Sequence, residues 1–143
     1  GADVVDQGGP GYRLPTEAEW EFACRAGQDQ AHSSLAAAEL GWFTFNAEER
    51  PHGVGRKAAN AFGLHDMLGN VREWVEDCHQ IGYDGAPADG SVRPHQGACE
   101  KRVVRGGAWV DGPSTSRSAY RYSEAENFRN YQVGFRVVCD LRR

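Results

Sequence analysis

The chain has 143 residues (15.7 kDa), of which 40% are apolar, 10% aromatic and 25% charged, enough for one packed core and incompatible with a disordered chain. No apolar run approaches the roughly 20 residues of a membrane-spanning helix, and 18 glycines with 6 prolines point to short elements joined by many turns. The formal charge of −4 divides into −9 over residues 1–100 and +5 over 101–143, with no basic surplus to call for nucleic acid.

Residues 1–12, with Gly-Gly-Pro-Gly, read as a loop or ragged end, and 13–143 as the domain. The chain opens on Gly1, which reads as a processed or truncated boundary. A helix is predicted over 17–26. Thr16 and Glu19 form a capping box, Glu17 and Glu19 lie in the first turn and Arg25 in the last, and Gly27 suits the stop. Trp20, Ala23 and Cys24 share one face of it. Leu35 to Leu40 read as a short helical turn. Phe43 and Phe45 alternate with Thr44 and Asn46, as in a short strand. Residues 51–55 and 58–70 are turn-like. Residues 71–76 (VREWVE) alternate as a strand, although Asn70 followed by Glu73 would equally cap a short helix. Residues 79–98 are a Gly/Pro-rich loop. Strands are predicted at 102–110 and 132–138, and the polar stretch 111–131 between them shows no period.

The four cysteines, at 24, 78, 99 and 139, include no Cys-x-x-Cys, which argues against zinc-ribbon or thioredoxin chemistry. A Cys78–Cys99 bridge would close the Gly/Pro loop and contribute about 3 kcal/mol on the chain-entropy model. Cys24 with Cys139 is the second expected bridge, and the alternative is buried thiols acting as small hydrophobes. Bridges would imply an oxidising, extracytoplasmic compartment.

Fourteen of the 16 basic residues are arginine, which suits bidentate pairing with carboxylates; a basic site for an anionic ligand is the alternative. Arg105, Arg117, Arg121 and Arg136 are expected to pair with Glu17, Glu19, Glu21 and Glu73. Trp20, Trp74, Trp109 and Phe135 are expected in the core. Ser114, Ser116 and Ser118 lack the Gly-x-Ser-x-Gly setting of a nucleophile elbow, and the histidines at 32, 52, 65, 79 and 95 are scattered.

Three blocks carry a resemblance. They are Arg13 to Glu21 (RLPTEAEWE), Gly63 to Trp74 (GLHDMLGNVREW), and Arg102 to Trp109 (RVVRGGAW) leading to Gly134-Phe135-Arg136. Together they resemble the formylglycine-generating-enzyme, or sulfatase-modifying-factor, family over about residues 12–139. The resemblance implies an α+β, C-type lectin-like fold with few helices, small twisted sheets and much ordered loop. It selects the strand reading at 71–76, and it implies that longer members carry a further N-terminal portion, whose lack would leave a sheet edge open to self-association.

Catalytic members of the family oxidise a substrate cysteine with copper held by a cysteine pair, placed between the Gly-Gly-Ser-Trp-like strand and the final Gly-Phe-Arg. Here 110–118 reads VDGPSTSRS, and Asp, Ser and Thr cannot make a soft-metal site. No copper and no catalytic residues are therefore expected. The resemblance implies one calcium ion in the HDMLGNV turn, bound by the Asp66 carboxylate and the carbonyls of Met67, Gly69 and Val71. Other members are ligand-binding modules attached to kinases, or variable proteins of diversity-generating retroelements. Segment 110–132 is the expected recognition surface for a protein or small ligand. It offers Asp111, Ser114, Thr115, Ser116, Tyr120, Tyr122, Glu124, Asn127, Phe128, Asn130 and Tyr131, a paratope-like set. A divergent oxidoreductase that does not use the cysteine pair is the alternative.

Overall fold

A computed structural model describes residues 11–28 and 34–140. In chain order the elements are β1 (Tyr12–Arg13), α1 (Glu17–Arg25), α2 (Ser34–Leu40), β2 (Gly41–Trp42), β3 (Leu68–Gly69), β4 (Arg72–Cys78), β5 (Lys101–Arg105), a 3-10 turn (Pro113–Thr115), β6 (Arg121–Ala125), β7 (Val133–Phe135) and β8 (Val138–Cys139). The central sheet runs β6-β5-β4-β7, with β4 antiparallel to β5 and parallel to β7. Two small pairs flank it: β1 with β8, antiparallel, and β2 with β3, parallel. Among the described residues no helix is long and apolar enough to cross a membrane.

α1 forms as its sequence dictates. Thr16 Oγ1 accepts from Glu19 N–H (3.1 Å) while Glu19 accepts from Thr16 N–H (2.8 Å), which satisfies two free N–H donors of the first turn. The helix ends one residue early, because Ala26 already takes the left-handed conformation (φ 47°) that closes the last turn. Its buried face carries Trp20 and Cys24 onto Val75 of β4 and Val103 of β5, and Phe43, Met67, Leu68 and Ala37 complete this core. Alternation along β4 and β5 puts Glu73, Val75, Asp77, Val103 and Arg105 on the α1 side of the sheet and Arg72, Trp74 and Val104 on the other.

Several expectations need correction. Residues 43–46 are a turn: the Asn46 side chain accepts from Phe43 N–H at 2.7 Å, which folds back what alternation had made look extended. β5 stops at Arg105, because Gly106 (φ 90°) and Gly107 (φ 74°) turn the chain into conformations a strand cannot hold. The aperiodic stretch 111–131 contains β6. Residues 132–138 are two strands rather than one. Phe135 is 69% exposed instead of buried, and Trp74 and Trp109 are half-buried, so of the four aromatics expected in the core only Trp20 is fully enclosed. Residues 1–10 of the segment read as a ragged end lie outside the described residues, whereas Tyr12 pairs with Cys139.

The Cys78–Cys99 bridge is present, with Cα atoms 5.6 Å apart. The second bridge is not: Cys24 and Cys139 are free. Cys24 points into the core, its Sγ 3.7 Å from the Met67 carbonyl, and burial pushes its thiol up to about 12. Cys139 sits on the exposed β1–β8 pair, away from that core.

Candidate functional site

Arg72, at the start of β4, is the centre of the face formed by the 109–132 segment. Its guanidinium reaches 39 residues down the chain to Asp111 (2.8 Å) and also donates to Gln132 Oε1 (3.3 Å). Tyr122, on β6, lies 4.3 Å beneath the guanidinium carbon. Burial pushes the Tyr122 phenol up, against the opposing effect of a hydrogen bond with Thr115. Asp111 is itself clamped. It accepts from Ala108 N–H (2.8 Å), and its own carbonyl accepts from Thr44 N–H (3.1 Å). Around this centre Tyr120 tilts against Tyr122 (4.8 Å), and Trp109 stacks with Tyr131 (6.0 Å), which is 68% exposed. Arg72 Nε and Trp109 Nε1 are buried and have no acceptor among the described residues.

The eleven expected surface residues therefore divide. Tyr120, Tyr122 and Tyr131 make the aromatic surface, and Thr115 supports it. Ser114, Asn127 and Asn130 are exposed, while Glu124 and Phe128 are half-buried. Ser116 is a correction: it is 1% exposed, its Oγ donates to the Gly112 carbonyl, and it fills the space beside Gly107. Asp111 acts as a clamp, since its oxygens are occupied by Arg72 and Ala108. Arg72, Trp109 and Gln132 were missed as site residues. The alternation at 71–76 placed Arg72 on one strand face, but nothing local named Asp111 as its partner.

The expected arginine–carboxylate pairs form in part. Arg105 bridges Glu17 and Glu21, Arg121 holds Glu17 through both carboxylate oxygens (2.6 and 2.7 Å), and Arg136 holds Glu73 (2.6 and 2.7 Å). Glu19 instead pairs with Arg13, whose two hydrogen bonds hold its carboxyl below the usual range. Arg117 lies over the Tyr120 ring, 5.9 Å from its centroid.

A cleft of about 420 Å³ opens beside the HDMLGNV turn, and both Asp66 and Val71 line it. Asp66 is buried, its backbone left-handed (φ 55°). Oδ2 accepts from Gly55 N–H (2.7 Å), while Oδ1 has no hydrogen-bond partner among the described residues. An unpaired buried carboxylate oxygen suits a hard cation, so the donor chemistry fits calcium. Met67 and Gly69 do not line the cleft, and the Met67 carbonyl faces the Cys24 thiol and the space beside Gly106.

The small central sheet, single capped α1 helix and extensive ordered loop define a mixed α+β domain of the C-type lectin-like, sulfatase-modifying kind. A family model of the "Sulfatase-modifying factor enzyme 1-like domain" matches residues 2–141, and the chain belongs to that family. Its fold is similar to PvdO from Pseudomonas aeruginosa (36% identity, TM-score 0.83, covering 92% of this chain and 54% of that one). It is also similar to Treponema denticola variable protein 1 (29%, TM-score 0.78, covering 94% and 50%). In sequence it is 30% identical to the chaperone protein LppX of Paenibacillus barcinonensis over 156 aligned residues, 94% of this chain and 51% of LppX. The chain spans about half the length of these relatives.

Proposed function

We propose that this domain is a non-catalytic recognition module that binds a protein or small ligand through the face centred on Arg72, Asp111 and Tyr122. The observation that carries the reading is the clamped Arg72–Asp111 pair with Tyr122 beneath it. It fixes an aromatic-rich surface, with Tyr122 on β6 and Trp109, Tyr120 and Tyr131 in the segments beside the sheet, where the family's oxidases are expected to hold copper. A rigid mount lowers the ordering cost of binding, and tyrosines supply contact area at small entropic cost. The similarity to a protein titled a variable protein supports the same reading.

Peptides selected from a random display library against the whole chain should map to this face. Tyr131→Ala should then weaken the selected binders by about 2 kcal/mol, the size of a buried aromatic anchor. Binders that ignore Tyr131→Ala and Tyr120→Ala would contradict the reading. So would copper-dependent conversion of a cysteine peptide into an aldehyde, which would favour the oxidoreductase alternative.

Calcium at the Asp66 turn is proposed as a structural ion for the same module. No group of three or more His, Cys, Asp or Glu side chains is gathered among the described residues, so ligation would rest on Asp66 together with backbone carbonyls such as that of Val71. Calcium at about a hundredfold its Kd should stabilise the fold by about 2.7 kcal/mol, read as a rise in Tm that Asp66→Ala removes. An unchanged Tm would dismiss the ion.

A further inference from the structure

On the α1 side of the sheet, away from Tyr122, a cleft of about 590 Å³ separates the outer face of α1 from loop 79–98. Ala18 and Phe22 form the helix wall, and Tyr83, Ala86 and Pro87 form the loop wall. Phe22 is 68% and Tyr83 54% exposed. Two large aromatic side chains left wet on facing walls are unusual, because collapse of the loop onto the helix would bury both.

The loop is held off by specific anchors. The Cys78–Cys99 bridge closes its base. Thr16 Oγ1 donates to the Gly90 carbonyl (2.7 Å), and Asp77 Oδ1 accepts from Arg93 N–H (2.8 Å). Arg121 donates to the Gln80 carbonyl (3.0 Å), and Arg93 to the Gly82 carbonyl (2.9 Å). Each ring is also fixed against a neighbour: Phe22 packs on Phe62 (5.5 Å), and Tyr83 lies under the Arg121 guanidinium (4.6 Å). The cleft is thus preformed, and its size falls in the range of small-molecule sites, roughly 300–1,000 Å³.

The floor decides what fits. Its carboxylates, Glu17, Glu21 and Asp77, are matched in number by Arg25, Arg93 and Arg121. Glu17 is taken by Arg105 and Arg121, Glu21 by Arg25 and Arg105, and Asp77 by the N–H groups of Glu17 and Arg93. A cation would find every carboxylate of the floor taken, and an anion could engage Arg93 only by drawing its guanidinium from the Gly82 and Asp84 carbonyls that shape the loop wall, so either ion would lose its hydration for little return. An uncharged ring loses nothing comparable and gains two aromatic walls.

We infer that this cleft binds an uncharged aromatic small molecule, seated between Phe22 and Tyr83. The test titrates the full chain with naphthylethanol, naphthylacetate and naphthylethylammonium, followed by NMR chemical shifts. The expected result is saturable shifts at Phe22, Tyr83 and Ala119, with the alcohol binding about tenfold more tightly than either ion, because only the ions must give up hydration. Phe22→Ala should weaken the alcohol by about tenfold through loss of one aromatic wall. Phe22 is largely exposed, so that variant keeps its fold. Ala86→Trp, which fills the cleft from the loop side, should block the alcohol as well. Equal affinity for the three probes, shifts confined to Trp109 and Tyr131, or no saturation at the solubility limit would each overturn the inference.

Discussion

Replacing Arg105 by Met should destabilise the domain by about 3 kcal/mol, the lower end of the cost of breaking a buried ion pair. Arg105 is 0% exposed and joins three parts of the fold. From β5 its guanidinium reaches Glu17 (3.1 Å) and Glu21 on α1, and it donates to the Ser118 carbonyl (2.6 Å) in the segment that leads into β6. It also lies 5.3 Å from the Trp20 ring. Met would restore most of the volume but none of these bonds. The loss stays near the lower end because Glu17 keeps Arg121 and Glu21 keeps Arg25. Adding Glu21→Gln to the Arg105 variant should recover little, because the Glu21 charge still has Arg25 as its partner. For comparison, Arg50→Ala breaks an exposed pair with Glu48 and should cost below about 1 kcal/mol. Urea unfolding at constant m reads all three. If Arg105→Met matched Arg50→Ala, Arg121 alone would suffice to hold α1 against the sheet.

The same network explains which parts of the fold the sequence could reveal. α1 was legible because its signals are local: the cap, the first-turn acids and the apolar face all lie within ten residues of Thr16. Alternation left β4 open between strand and capped helix until the family resemblance selected the strand, whereas β5 was legible because an apolar run reported its buried face. β6 was not, since it packs by polar means. Arg121 faces Glu17 on one side and Tyr122 faces Arg72 on the other, so neither face spells an apolar pattern. Hydrophobic periodicity cannot detect a strand whose neighbours are a carboxylate and a guanidinium. The false strand at 43–46 shows the converse, because the Asn46 side chain accepting from Phe43 N–H, with Asn46 and Ala47 N–H donating to the Phe43 carbonyl, bends a sequence that alternates. In the recognition face the residue types were legible from composition. The Arg72–Asp111 clamp was not, because it joins residues that only the assembled sheet brings together. The sulfur chemistry was half legible: a loop flanked by cysteines predicts its own closure, whereas Cys24 and Cys139 required knowing which surfaces meet.

Gly69→Ala should cost more than about 4 kcal/mol, in the range that marks a structural collision rather than a lost contact. β2 and β3 run so close that neither Gly41 nor Gly69 has room for a side chain. A Cβ on Gly69 would stand 2.2 Å from the Trp42 carbonyl oxygen, and one on Gly41 2.1 Å from the Leu68 carbonyl oxygen. Both obstacles are backbone, so no rotamer change relieves them. Gly69 also has φ 72°, where an L side chain adds strain of about 1–2 kcal/mol. The effect would spread along bonds that already tie this turn to the recognition face. Gly69 N–H donates to the Gly106 carbonyl (2.8 Å), Asn70 N–H to the Trp42 carbonyl (2.9 Å), and Trp109 N–H to the Asn70 carbonyl (2.8 Å). Forcing β2 from β3 therefore displaces Asn70 and, with it, the turn after β5 that carries Trp109. Gly63→Ala separates the two contributions, since Gly63 has a similar φ (77°) but open space around it. It should lose only the strain, about 1–2 kcal/mol. Equal unfolding midpoints for the two variants would show that the left-handed turn, and not the close approach of the strands, is what requires glycine at position 69.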